Sequence, residues 1–180
     1  IVDIDDFKKQ YLKMNTITDS KKINFSIEQI FSFTQQMITE YYSDAMFTFL
    51  SDSLTAIIPA DEEGDKSDFL MKMLQEIRLK IQNETQFTAT IAVGCVQKDI
   101  MNIYKSYQQA QKCIKISRRV FQRNHLMYFQ DLGIYLFLDS FQQTDDTKQL
   151  CRQTIEPLLL YDKEHRTQMM ETLVTIIDEN

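Results

Sequence analysis

Ala45-Met46-Phe47-Thr48-Phe49-Leu50 and Leu54-Thr55-Ala56-Ile57-Ile58-Pro59 flank the polar break Ser51-Asp52-Ser53. Two runs rich in β-branched and aromatic residues around so short a break read as a β-hairpin. Both faces of each run are largely apolar, so the hairpin is expected in the middle of a sheet, under helices. Any chemistry that the fold supports is expected near its turn.

Outward from the hairpin, the pattern supplies the rest of a compact core. Upstream, Ile1-Val2-Asp3-Ile4 reads as a strand, and a polar loop or short helix runs to about Lys22. Ser26 with Gln29 makes a capping box, and Phe25 with Ile30 a hydrophobic staple, for a helix carrying Ile27, Ile30, Phe31, Thr34, Met37, Ile38 and Tyr41 on one stripe. Downstream, the acidic turn Asp61–Asp65 precedes a helix capped by Ser67, with Leu70, Met73, Leu74, Ile77 and Ile81 on one face. Phe87 to Val93 alternates as a strand and Gly94 ends it. The order β-α-β-β-α-β is that of a ferredoxin-like α/β (α+β) core. A helix from Asp99 to about Arg123 and a short edge strand from Leu126 to Phe129 extend it.

From Asp131 the chain reads as wholly helical, which divides it into a core at 1–130 and a helical connector at 131–180. Thr144 is expected to cap one helix of the connector, and Asp162 the last. Leu158, Leu159, Leu173 and Ile177 are expected to be buried, because helices this apolar on one stripe are unstable alone in water.

Composition narrows the function classes. Hydrophobic residues are 43% of 180, enough for a core, whereas three glycines and two prolines leave no glycine-rich phosphate loop. A net charge of −6 disfavours nucleic-acid binding by the domain as a whole. Cys95, Cys113 and Cys151 form no Cys-x-x-Cys pair, which points to reduced cytosolic thiols rather than a disulfide framework or a zinc site. His125 and His165 read as surface or packing residues. The apolar runs are too short to span a membrane. The strand-like opening at Ile1 is what a piece of a longer chain would show.

Asp3-Ile4-Asp5-Asp6-Phe7-Lys8 resembles the opening motif of GGDEF domains, the diguanylate cyclases, and Thr90-Ile91-Ala92-Val93-Gly94 resembles their later strand. The signature pentapeptide falls on Leu50-Ser51-Asp52-Ser53-Leu54. The resemblance puts Asp3 at a metal position and the second metal carboxylate at Ser53, where it is lost. Both signature glycines are replaced, by Leu50 and Ser51. The guanine-reading pair falls on Tyr11 and Leu12, and the product-inhibition arginine is missing from Tyr41-Tyr42-Ser43-Asp44. Diguanylate synthesis needs carboxylate-held divalent metal and close approach of backbone to phosphates, so no catalytic residue and no cofactor are expected here.

The second half resembles the PucR/CdaR family of bacterial transcription regulators. The match runs through Ser106-Tyr107, Ala110 and Cys113, then Tyr128 to Phe137, then Pro157-Leu158-Leu159-Leu160-Tyr161-Asp162 and Glu171-Thr172-Leu173. That resemblance implies a degenerate GGDEF-like domain ahead of a helix-turn-helix, with Asn180 about where the DNA-binding segment begins.

Two side-chain groups carry alternative readings. Asp3, Asp5, Asp6 and Asp52 read as a leftover cation site, with Asp3 and Asp52 its metal candidates, or as strand-end and turn carboxylates in water. Lys105, Lys112, Lys115, Arg118, Arg119 and Arg123 lie in a stretch without acids. They form either a face for DNA phosphate or an acidic partner, or the solvated side of a helix with cations answering its dipole. Phe31, Phe33, Tyr41, Phe47 and Phe49 read as core. The function expected is a non-catalytic relay between an upstream sensor and the helix-turn-helix, with dimer contacts and no membrane. The alternatives are a nucleotide- or metal-binding receptor of the same fold, or a module of a response regulator with an AraC-type tail.

Overall fold

The computed structural model describes residues 1–7, 9, 17–60, 68–121, 123–141 and 145–178. The chain divides into two compact units, Ile1–Gly133 and Ile134–Asn180. The first is a mixed α/β unit. Its strands are β1 (Val2–Ile4), β2 (Met46–Leu50), β3 (Ser53–Ile57), β4 (Ala89–Val93) and β5 (Leu126–Tyr128). Between them run helices α1 (Ile17–Tyr41), α2 (Asp68–Glu84) and α3 (Ile103–Val120), the last preceded by a 3₁₀ turn at Ile100–Asn102. The strands form one five-stranded sheet in the order β2-β3-β1-β4-β5, antiparallel except for the parallel pair β4–β5.

Strand alternation sorts the two faces. Val2, Ile4, Leu54, Ala89 and Ile91 point to one side and form the core with Ile27, Ile30 and Ile38 of α1 and Met73, Ile77 and Ile81 of α2. Asp3, Thr90 and Ala92 point to the other, toward α3, whose Ala110, Cys113, Ile114 and Ser117 are buried. Burial pushes the Cys113 thiol up to about 12. Gly94 lets α3 approach β4: a Cβ there would stand 2.0 Å from the Ser106 carbonyl oxygen.

Several expectations are corrected. The hairpin is not central: β2 is the sheet's edge, and Met46, Phe49 and Leu50 are exposed. Ser26 does not cap a helix, because α1 already begins at Ile17 and Ser26 lies in its middle. A capping-box spacing is local and recurs inside longer helices. Asp99 caps the 3₁₀ turn, its carboxylate accepting from the Met101 N–H at 2.9 Å, before α3 begins at Ile103. Among the expected core aromatics, Phe31 is buried and Phe33 and Phe47 are half-buried, while Tyr41 and Phe49 are exposed. Tyr11, Leu12, the turn 61–65 and the caps at Ser67 and Thr144 lie outside the described residues.

The second unit is helical, with α4 (Ile134–Phe141), α5 (Asp145–His165) and α6 (Met169–Asp178). Asp162 caps α6 from within α5: its carboxylate accepts from the N–H groups of Met169 and Met170, each at 2.9 Å, and from the Thr167 hydroxyl at 2.6 Å. The Thr167 hydroxyl bond, with those two amide bonds, holds the carboxyl below its ordinary value. Leu158 is half-buried, and Leu159 and Leu173 are exposed, against the expected burial; the side chain of Ile177 lies outside the described residues. No described helix is long and apolar enough to cross a membrane.

Candidate functional site

The first strand ends in Asp3-Ile4-Asp5-Asp6, and alternation puts Asp3 and Asp5 on the α3 side of the sheet. Thr88 and Thr90 come to the same side from the start of β4. Arg118 reaches them from the last turn of α3. Its Nη2 donates to Asp3 Oδ1 and, at 3.0 Å, to Asp5 Oδ1, while its Nε donates to the same Asp5 oxygen at 3.3 Å.

Asp5 is 2% exposed and fully engaged. Its Oδ1 also accepts from the Thr90 hydroxyl at 2.8 Å, and its Oδ2 from the Thr88 hydroxyl at 3.0 Å and the Asn124 N–H at 2.9 Å. A buried carboxylate is tolerable only with such a set of donors and an opposite charge. Next to it, Asp6 pairs with Arg123 at 2.7 Å. Asp6 and Asn124 both adopt positive φ, 56° and 61°, which their short polar side chains accommodate. Arg78 and Gln82 of α2 hold Asn124 through its carbonyl and its amide, at 3.0 and 2.9 Å. The end of β1, the start of β4, α2 and the end of α3 are thereby tied at one node.

Burial raises the Asp3 carboxyl above the ordinary value of 3.8, against the pull of Arg118, and Asp52 and Asp5 add to the rise. Asp52 lies in the tight turn between β2 and β3, where its carbonyl accepts from the Ile4 N–H at 2.8 Å. At the same turn Ser51 has φ 54°, and the Ser53 hydroxyl donates to the Leu50 carbonyl at 3.2 Å. Ser53 therefore closes the turn.

Asp5 is not in water, and Arg118, a cation of the chain itself, lies against Asp3 and Asp5. The described residues contain no group of three or more His, Cys, Asp or Glu side chains able to hold a metal ion. The basic face is correspondingly divided. Arg118 and Arg123 turn to the acids, whereas Lys105, Lys115 and Arg119 are exposed and Lys112 is half-buried. The last four fall at helical spacing along one stripe of α3. The residues that sequence reading missed are Thr88, Thr90 and Asn124. Only the alternation of threonines with apolar residues from Phe87 to Val93 hinted at a polar face there.

At the other end of the strands lies a cleft of about 970 Å³, bordered by Tyr42, Met46, Ile57, Phe69, Cys95 and Tyr104 among others. Its floor is a slot: Ala56 and Ile57 of β3 pair only with β2, and Val93 of β4 only with β5. No Lys, Arg or His is among its described lining residues, whereas Asp44 and Asp68 are. Such a lining does not suit a phosphate-bearing ligand.

Residues 16–116, more than half of the chain, match the GGDEF-like domain family, and the chain belongs to that family. It is also similar to the DNA-binding transcriptional activator AdeR of Bacillus subtilis (strain 168), with 32% identity over 108 residues. That match takes in 59% of this chain and 24% of AdeR, so the chain spans about a quarter of the length of that relative. No solved structure matches.

Proposed function

We propose that this chain is a regulatory domain of a bacterial transcription regulator of the PucR/CdaR kind, without catalytic activity of its own. It would act in the cytoplasm, relaying the state of an upstream sensor to a helix-turn-helix that makes the DNA contact. The observation that carries this reading is the Arg118 guanidinium lodged between Asp3 and Asp5. Asp3 resembles the metal carboxylate of diguanylate cyclases, and a fixed guanidinium repels a divalent ion from the place where it would bind. The hydroxyl at Ser53 cannot replace the second carboxylate. A family relative that is a DNA-binding transcriptional activator supports the regulatory setting.

The same contact gives the relay a physical element. Arg118 couples the end of β1 to the last turn of α3, and the chain then runs through β5 and Gly133 into the helical unit. A shift of β1 relative to the sheet would move α3 with it. A nucleotide receptor has less support, since the large cleft lacks cationic side chains among its described lining residues.

The test is a reporter assay in the full-length regulator carrying Arg118→Lys, which keeps a cation beside the buried Asp5 but loses the fork that reaches both carboxylates, alongside operator binding and thermal unfolding of the purified variant. The reading expects operator binding to persist and the response to the inducing signal to be lost. A variant that responds like the parent would remove Arg118 from the relay.

A further inference from the structure

Among the described residues β2 is an edge strand without the devices that keep sheet edges apart. Met46-Phe47-Thr48-Phe49-Leu50 contains no charge and no proline, and its pairing with β3 runs from Met46 to Leu50 without a bulge. Met46, Phe49 and Leu50 are 59%, 45% and 57% exposed. Free edges of this composition pair with another strand unless lysine, proline, a bulge or a covering element prevents it. Among the described residues no strand lies beyond β2.

Hydrogen-bond parity determines which backbone groups are free. The Ile4 N–H donates to the Asp52 carbonyl, so Ile4–Asp52 is a hydrogen-bonded pair of the β1–β3 ladder, and Val2–Leu54, two residues along, is another. The amide and carbonyl of Leu54 therefore face β1. On its other side Leu54 stands opposite Phe49, so Phe49–Leu54 is a non-hydrogen-bonded pair, as is Phe47–Ala56. The N–H and C=O groups of Phe47 and Phe49 consequently point out of the sheet edge.

The strand is also nearly palindromic about Thr48. An antiparallel two-fold at Thr48 sets Phe47 opposite Phe49 of a second copy, and Met46 opposite its Leu50. In that register the two Phe47–Phe49 pairs are the hydrogen-bonded ones, so every outward amide and carbonyl of the two phenylalanines finds a partner. Thr48 meets its own symmetry mate as a non-hydrogen-bonded pair, with the closest side chains. Apolar side chains face apolar side chains on both sides of the joined sheet. We propose that two copies of this chain associate through antiparallel pairing of β2 about a two-fold axis at Thr48, joining their five-stranded sheets into one. This is an isologous interface, and it stands independently of the relay role.

The test is sedimentation of the 180-residue chain and of Thr48→Lys and Thr48→Glu, alone and mixed. Thr48 is exposed, so either substitution leaves the fold in place, but the axis brings like charges together. The parent is expected to sediment as a dimer, each variant as a monomer, and the equimolar mixture as a dimer again. Amide exchange of Phe47 and Phe49 in the parent supplies a readout that needs no variant: both are expected to be protected, more so at higher protein concentration. A monomeric parent, a dimeric Thr48→Lys chain, a mixture that does not reassociate, or fast exchange at both phenylalanine amides overturns the proposal.

Discussion

The guanidinium of Arg118, in the last turn of α3, lies 3.0 Å from the carboxylate of Asp5 at the end of β1, across 113 residues of sequence. It also bridges to Asp3, so one cation answers two carboxylates on one side of the sheet. This contact holds β1 to α3 and places a positive charge between Asp3 and Asp5.

Asp5→Asn should be strongly destabilising. It leaves the Arg118 guanidinium without its most buried partner and weakens the acceptor for Thr88, Thr90 and the Asn124 N–H. Breaking a buried, hydrogen-bonded pair costs roughly 3–5 kcal/mol. Denaturant unfolding of the variant should show a loss in that range, and a loss under about 1 kcal/mol would mean that the node does not hold the fold.

Asp3 should behave differently. Its carboxyl is raised above 3.8 by burial, so the native chain takes up a proton there more readily than the unfolded chain does. Stability from this group therefore falls as pH rises through the window between the ordinary and the raised value. Asp3→Asn should lose that dependence while Arg118 remains paired with Asp5. Unfolding midpoints of parent and variant, measured across the acid range, should converge at the low end and separate above it in favour of the variant. An identical slope in both chains contradicts the assignment.

How much of this was legible beforehand differs from element to element. The order of strands and helices in the first unit was readable, because Phe87 to Val93 alternates and Leu70 to Ile81 repeats at helical spacing. The place of the hairpin in the sheet was not. Apolar residues on both faces of β2 suggest a central strand, but Phe49 lies against Phe31 on one face, with ring centroids 5.3 Å apart, while Met46, Thr48 and Leu50 border the cleft on the other. The Arg118–Asp5 contact carries no sequence signal, since no local spacing links residues so far apart; its polar neighbours look like ordinary strand threonines. Leu159 and Leu173 misled for another reason. A helical stripe of apolar residues specifies a face that can be buried, and does not specify that this chain buries it.

Gly94→Ala tests how tightly α3 is set against β4. The added Cβ would stand 2.0 Å from the Ser106 carbonyl oxygen and 2.5 Å from its hydroxyl, so backbone must move. Overpacking of this kind costs about 1–3 kcal/mol, and a backbone clash lies at the upper end. The melting temperature should drop by several degrees. An unchanged transition would show that β4 and α3 separate easily, and the coupling of β1 to the helix through Arg118 would lose its rigid support.

A GGDEF-like domain that serves regulation alone, as proposed, should not make cyclic dinucleotide. The most direct measurement is incubation of the chain with GTP and magnesium or manganese, followed by chromatography for cyclic dinucleotide. With Arg118 against Asp3 and a hydroxyl at Ser53, no product above a heat-denatured control is expected. Product that accumulates with time and enzyme concentration, and disappears in Asp3→Asn, would contradict it.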